Sequence, residues 1–308
     1  ASFFRLAKSS ASALRKLREL EIDTVLDCEL FARISSIYAF LSGAETRVGF
    51  HPHTQEGLYR GSFVNRPVLY NPYQHMAQQF LTLAEAIDAG ASPPPKRVVG
   101  ERPRALPPVE LEPGELEAMR RRLTADFPVL SGRRLVLLSP AGGLLPIRAW
   151  PLDAYEKLAR ALLEDGHVLG VIGLARDKDV AQDLAARLGS ERCLDLTGYT
   201  KSVRELVVLF HLSALLVAND GGPGHFAALT PMPAIVFFGP ETPTLYGTLG
   251  DKALNLRTNL SCSPCLTAYT HRNSPCDGDN ICLQRIEPAT VLAEARARMG
   301  GDAQSPFG

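Results

Sequence analysis

LLVANDGGPGHFAALTPMPAIVFFG, residues 215–239, reads as strand, glycine-rich turn, helix and strand in succession. LLVAND (215–220) and AIVFFG (234–239) are uninterrupted apolar runs too short for helices, and a helix from about Gly222 separates them. A strand apolar at every position has no solvent face, so it is buried on both sides, as in a parallel sheet covered by helices.

The same grammar extends upstream. Ser202 and Glu205 form a capping box ahead of Leu206 and Leu209, a short strand lies near Leu194, and Val180, Leu184 and Leu188 mark a helix. HVLGVIG (167–173) is a further buried strand. Pro151 opens a helix whose apolar positions are Tyr155, Leu158, Ala159, Leu162 and Leu163, and LVLLS (135–139) is the strand before it. From Gly90 to Pro113 seven prolines (93, 94, 95, 103, 107, 108 and 113) forbid a continuous helix and favour extended backbone, as in an interdomain linker. Ahead of it IDTVLD (22–27), TRVGF (46–50) and PVLY (67–70) read as strands, with helices from about Ser10 to Leu20 and Leu30 to Leu41. That is about half a doubly wound domain, since a whole one takes roughly 150 residues. The expected organisation is a partial Rossmann-like domain over 1–92, a proline-rich linker and connecting helix over 93–130, and a complete Rossmann-like domain over 131–300.

The chain has 308 residues and is 45% hydrophobic, enough for two ordinary cores. Lys plus Arg and Asp plus Glu both number 33, so no basic field would gather nucleic acid. No apolar run reaches the roughly 18 residues of a membrane span, and ASFFRLAKSSASALRKL lacks a signal peptide's apolar region and cleavage site, so the expected location is cytoplasmic. Arg5, Lys8, Arg15, Lys16 and Arg18 suit either a solvated helix face or peripheral contact with an anionic inner-membrane surface.

Chemistry concentrates at VANDGGPGHFAAL, 217–229. A strand ends at Asn219 and Asp220, and Gly221, Gly222 and Gly224 let the backbone turn beside a helix whose first N–H groups point outward, an arrangement that suits phosphate. A plain glycine-rich turn is the alternative, weakened by Asp220 and His225 flanking it.

Here the sequence resembles the ADP-heptose:lipopolysaccharide heptosyltransferases, glycosyltransferase family 9. The family's D-[ST]-G-x-x-H signature is matched by Asp220, Gly221, Gly222 and His225, with Gly221 replacing the hydroxyl residue, so that backbone amides must serve the phosphate instead. Arg148, Trp150 and Pro151 fit its basic residue two positions before Trp-Pro. FFGPETP (237–243) and LTGYTKSVREL (196–206) also look like family segments, and the four in order cover most of 135–249.

The resemblance implies a GT-B fold of two Rossmann-like domains and transfer of a sugar such as heptose from an ADP-linked donor to a lipopolysaccharide or other glycan or glycolipid acceptor, without a metal. Leaving-group charge must then be stabilised, by Arg148 and the helix start after Asp220. Arginine's fixed fork of donors suits phosphate. Asp220 would accept hydrogen bonds from sugar hydroxyls, and His225 would either donate to a phosphate oxygen or sit satisfied in the core. Glu241, Thr242 and the main chain of Gly239 would line the nucleoside pocket, because ligands of open α/β sheets collect at the carboxyl ends of strands.

Family members invert the anomeric centre using an aspartate in a Gly-Asp turn after the first acceptor-domain strand. Residues 1–92 contain no Gly-Asp pair, so the expectation is that the acceptor domain lacks its start. Otherwise Asp27 and Glu29, just after an apolar strand, are the substitutes for the base. RVGFHP and NPYQHMAQQF also look family-like. Of His51, His53, Tyr59, Arg60 and His75, only His75, before an acceptor-domain helix, is retained as an acceptor residue.

Cys262, Cys265, Cys276 and Cys282 form C-x2-C-x10-C-x5-C, open to structural zinc, to paired or redox-sensitive thiols, or to simple packing. Cys28 and Cys193 beside strands read as small buried side chains. Two other readings stand beside the transferase: a non-catalytic nucleotide-sugar-binding protein lacking the base, and a sugar-nucleotide epimerase, for which no paired acids are found.

Overall fold

The computed structural model describes residues 3–30, 32–51, 59–88, 106–143, 145–266, 274–300 and 305–307, with side chains from Ser9 onward. His53 and the prolines 93–95 and 103 lie outside those described positions, and the side chains of Arg5 and Lys8 lie outside the described side chains. The chain divides into two compact units, Ala1–Arg102 and Pro103–Gly308.

The first unit runs α1 (Phe3–Glu19), β1 (Thr24–Asp27), α2 (Arg33–Leu41), β2 (Thr46–Phe50), β3 (Arg66–Val68) and α3 (Met76–Glu85). Its strands are parallel in the order β1-β2-β3, with Thr24 opposite Thr46 and Phe50 opposite Val68. Val48, Phe50, Val68, Tyr70 and Leu83 are its buried centre.

The second unit runs α4 (Glu115–Asp126), β4 (Leu135–Ser139), α5 (Leu152–Glu164), β5 (Val168–Gly173), α6 (Lys178–Leu188), β6 (Cys193–Thr197), α7 (Val203–His211), β7 (Leu215–Asn219), α8 (Gly222–Ala227), β8 (Ala234–Phe238), α9 (Pro243–Tyr246), β9 (Ala253–Arg257), α10 (Ile281–Gln284) and α11 (Pro288–Met299). All six strands are parallel, in the order β6-β5-β4-β7-β8-β9. The chain winds outward from β4 through β5 to β6, returns to β7 beside β4, and winds the other way to β9. That is the doubly wound pattern, and its reversal between β4 and β7 leaves a crevice at their carboxyl ends.

Period-two alternation explains the uninterrupted apolar strands. Val136, Leu138, Val217 and Phe237 pack with Tyr155, Leu158 and Leu162 of α5, Leu184 of α6 and Val291 of α11. Leu135, Leu137, Leu216 and Val236 face the opposite way, against Leu123 of α4, Leu209 of α7 and Ala227 of α8. Burying one leucine stabilises by about 2 kcal/mol, so a sheet lined on both sides carries much of the unit's stability.

The caps refine the sequence reading. Pro151 is the N-cap of α5. Ser202 Oγ accepts from Glu205 N at 3.1 Å, but the Glu205 carboxylate accepts from Lys201 N at 2.9 Å rather than from Ser202. Glu205 also pairs with Arg122 at 3.0 Å, tying α7 to α4. The segment from 106 to 130, expected as connecting linker, belongs to the second unit, with Val109 N donating to Leu229 O at 2.9 Å.

Candidate functional site

A cavity of about 620 Å³ occupies the crevice at the β4–β7 reversal, within the size range of small-molecule sites. It is lined by the loops that leave the strands: Ala141 to Gly143 after β4, Leu174 to Asp177 after β5, Thr200 to Ser202 after β6, and Asn219 to Pro223 after β7. Arg148 reaches it from a short turn, Pro146–Arg148, ahead of α5. Arg148 and the glycine turn therefore share one crevice, as a common anion site requires.

Within it the two charges expected to serve different parts of a ligand meet each other. Arg148 Nη1 donates to Asp220 Oδ2 at 3.0 Å, with the arginine side chain 20% exposed and the aspartate 6%. Asp220 thus holds the guanidinium in place. Arg148 Nε is buried with no hydrogen-bond partner, a costly state for a donor unless a ligand or water meets it. Lys201, which the sequence reading left without a role, lines the same cavity and donates from Nζ to Gly198 O at 2.9 Å. Arg176 and Asp177 add one charge of each sign, and Asp177 Oδ2 accepts from Leu174 N at 2.8 Å.

The glycines divide by packing. Gly221 is fully extended (φ 170°), and a Cβ there would meet nothing closer than 3.8 Å. Gly224 is the crowded one, where a Cβ would lie 2.9 Å from Thr248 Oγ1 and 3.0 Å from Val236 Cγ2. The close approach of α8 to the sheet, not the turn itself, demands glycine.

Four expected donor residues stand outside the cavity lining. His225 is exposed on α8; protein atoms packed around its ring lower its pKa from the ordinary 6.5, with the Asp220 carboxylate pulling the other way. A Cβ on Gly239 would meet Cys282 Sγ at 2.7 Å and Leu283 Cγ at 2.8 Å, so this glycine serves packing against α10. Glu241 is buried. Thr242 caps α9, its Oγ1 accepting from Thr244 N at 3.2 Å.

In the first unit, Asp27 is buried and engaged: Oδ1 accepts from Glu29 N at 3.1 Å, and Oδ2 from Ser35 Oγ at 3.0 Å and Arg60 Nη2 at 2.7 Å. The Asp27–Arg60 pair is a structural tie, with side chains 4% and 1% exposed. Glu29 is exposed just past β1, its Oε1 accepting from Leu30 N at 2.9 Å. His75 is buried and caps α3, Nδ1 accepting from Ala77 N at 3.2 Å. Cys28, expected to be buried, is exposed, whereas Cys193 is buried.

Cys262, Cys265, Cys276 and Cys282 line one cavity of about 280 Å³ beside Pro240, all as free thiols. Burial first, and then the neighbouring thiols, raise the pKa of Cys282, with the Leu283 backbone N–H opposing. Among the described residues no three His, Cys, Asp or Glu side chains are gathered to hold a metal ion, so structural zinc, one of the three readings open for these cysteines, has no support. No helix among them is long and apolar enough to cross a membrane.

Residues 11–274 match the model of glycosyltransferase family 9 (heptosyltransferase). Lipopolysaccharide heptosyltransferase 2 of Salmonella typhimurium is 26% identical over 267 residues, spanning 84% of this chain and 71% of that protein. The Escherichia coli enzyme of the same name is 25% identical over 270 residues, spanning 85% and 72%. The solved E. coli ADP-heptose LPS heptosyltransferase II superposes with a TM-score of 0.73 at 22% identity, covering 95% of this chain and 81% of that one. E. coli heptosyltransferase WaaC with ADP gives 0.60 at 17% identity, covering 97% and 82%. At these identities the superpositions show the fold, GT-B-like.

Proposed function

The chain belongs to glycosyltransferase family 9, and from that membership and the crevice geometry we propose that it moves a heptose from ADP-heptose to a lipopolysaccharide-type acceptor, with inversion at the anomeric carbon. The observation that carries this reading is the convergence of Arg148 with the Gly221–Gly222 turn in one cavity at the β4–β7 reversal. Its chemistry fits a departing diphosphate. The guanidinium supplies charge and a planar fork, the turn supplies backbone N–H groups, and Lys201 supplies a second cation. The four relatives, all heptosyltransferases, one named for ADP-heptose and another solved with ADP, support the choice of donor.

Asp220 acts as the holder of Arg148, leaving the remaining guanidinium N–H groups for phosphate oxygens. The acceptor hydroxyl must lose a proton as it attacks, and of the two carboxylates past β1 Glu29 fits that role better. Asp27 has both oxygens committed and a guanidinium against one of them. His225, Gly239, Glu241 and Thr242, which stand outside the cavity lining, are given no contact with the diphosphate in this reading.

Calorimetric titration with ADP, UDP and GDP tests the donor assignment. ADP should bind tightest, and equal affinity for all three would remove the adenine preference. Transfer of heptose from ADP-heptose to a heptose-deficient lipopolysaccharide, followed by anomeric analysis of the product, tests the reaction. A retained anomeric configuration contradicts the single-displacement reading.

A further inference from the structure

β4 and β7 pair in register as far as Ser139 and Ala218. Beyond that pair the ladder ends and the two chains separate around the crevice. The carbonyls of Pro140 and Ala141 are left facing the gap on one side, and the backbone N–H of Trp150 on the other. Asn219 is the next residue of β7, and its side chain fills that gap, 4% exposed. Its Nδ2 donates to Pro140 O at 2.7 Å and to Ala141 O at 3.4 Å. Its Oδ1 accepts from Trp150 N at 2.9 Å and from the Tyr155 hydroxyl at 3.2 Å.

The partners fix the orientation of the amide, because a backbone N–H can only donate and a carbonyl can only accept. They also fix the residue type. Aspartate has no donor for the two carbonyls, leucine has neither donor nor acceptor, and glutamine is one methylene too long for the gap. A buried carboxamide joining three chain segments is therefore a specific device, and leaving its partners unmatched would be costly.

The segments it joins are those that meet the ligand. Ala141 leads into the Gly142–Gly143 loop of the cavity wall, and Trp150 stands two residues after Arg148. Trp150 is immobilised from its other side as well, with Nε1 donating to Ile286 O at 3.0 Å and its ring 4.5 Å from that of Phe237. Asp220, adjacent to Asn219, grips Arg148 directly. The last residue of β7 and the residue that follows it thus hold both ends of the arginine arm.

We propose that Asn219 is a positioning residue that clamps the Ala141–Gly143 loop and the Arg148 arm at a fixed separation across the strand reversal, so that both reach one diphosphate together. This rests on the reading of the crevice as a diphosphate site. Asn219 borders the cavity, but both ends of its amide are committed to protein partners, so it acts through the backbone it holds.

The test is calorimetric titration of the full chain with two probes, ADP and adenosine, in the wild type, Asn219→Ala, the near-isosteric Asn219→Asp, and each combined with Arg148→Ala. Expected for both single variants is a loss of ADP affinity of about tenfold to a hundredfold, with adenosine affinity changed less than about twofold. In the Arg148→Ala background the further loss should shrink to about twofold or less, because the arm being positioned is gone. Equal weakening of both probes, as a merely structural role would give, overturns the proposal, and so does undiminished ADP binding. A wild type that binds neither probe overturns the crevice reading along with it; a wild type that binds both while the variants keep ADP overturns this inference alone. Should the variants not fold, hydrogen exchange on the wild type decides: the Trp150 backbone amide should exchange as slowly as those of β7, and fast exchange refutes the clamp.

Discussion

Replacing Arg148 by alanine removes the guanidinium from one end of the pair with Asp220, and two consequences follow with different magnitudes. The pair spans 3.0 Å and is one-fifth exposed at the arginine and nearly closed at the aspartate. At an effective dielectric of about 20 its gross attraction is roughly 5–6 kcal/mol, most of it offset by desolvation of both groups. The net loss on folding is then about 2 kcal/mol, near the value of a hydrogen bond between charged partners. In a unit of this size class that lowers Tm by about 4–8 °C. Binding suffers more. A charge-assisted fork to a diphosphate contributes about 2–3 kcal/mol, so the Kd for ADP should rise roughly thirtyfold to 150-fold. The loss is deepened because Asp220 no longer has a cation between it and the incoming anion. Arg148→Lys should restore part of the affinity, since an ammonium offers charge without the planar fork. Calorimetry at fixed ionic strength measures Kd, and differential scanning calorimetry measures Tm. An ADP affinity unchanged within about twofold, in a variant whose Tm has dropped as expected, refutes the assignment of Arg148 to the phosphates.

Gly221→Ser should be tolerated and stabilise by a few tenths of a kcal/mol as a better N-cap, because its Cβ meets nothing within 3.8 Å; its hydroxyl should also tighten ADP, and a weaker complex by calorimetry contradicts the open position. Gly224→Ala, three residues on, should cost about 1–3 kcal/mol in urea unfolding, since its Cβ falls 2.9 Å from Thr248 Oγ1; an unchanged midpoint speaks against the close approach of α8. Asp27→Ala should destabilise the first unit by about 3 kcal/mol by stranding Arg60, whereas Glu29→Gln should leave Tm alone and abolish heptose transfer while ADP still binds; full transfer by Glu29→Gln places the base elsewhere. His167 and His225 both have pKa values below the ordinary 6.5, chiefly because protein atoms packed around the rings desolvate them, with Asp165 and Asp220 respectively opposing. The folded state therefore binds fewer protons than the unfolded chain just beneath pH 6.5, and their contribution, complete above 6.5, declines as pH falls through the lowered folded values. Urea midpoints across pH 7.5 to about 5 should fall, and less so in His167→Gln; equal slopes for that variant and the wild type remove His167 from the effect.

Much of the second unit was legible because burial on both faces writes itself into the chain as unbroken apolar runs. Leu135–Ser139, Val168–Gly173, Leu215–Asn219 and Ala234–Phe238 lie where those runs are. β9 was not legible, since as an edge strand it is only half covered and ALNLR carries neither a full run nor a clean alternation. α11 was missed for a similar reason: its buried face is Val291, Ala295 and Met299 amid alanines and arginines, a stripe too thin to read. The crevice was legible through the glycines, the charges at strand ends and the family motifs. The pairing inside it was not. Arg148 and Asp220 stand 72 residues apart, and nothing in either segment records which ring of neighbours the other will enter. Which glycine is indispensable was equally hidden, because Gly224 owes its status to Val236 and Thr248, contributed by later parts of the chain.

The charges of the crevice are held rather than free, and this shapes how a diphosphate must bind. Arg148 is on Asp220, Lys201 on the Gly198 carbonyl, and Arg176 stands 4.0 Å from Asp177. A ligand of about three negative charges does not meet bare cations there; it exchanges for contacts already made, so little net charge attraction remains to be gained. Affinity then depends on groups that can take a second partner without leaving the first. A guanidinium can do this, because its several N–H donors lie in fixed directions and only one is directed at Asp220. Arg148 Nε, buried and unmatched, is the donor with most to gain from a phosphate oxygen. The advantage exists only if the arm does not swing away, which is why the buried amide of Asn219, with no charge of its own and itself part of the cavity wall, bears on the proposed diphosphate through the backbone it holds.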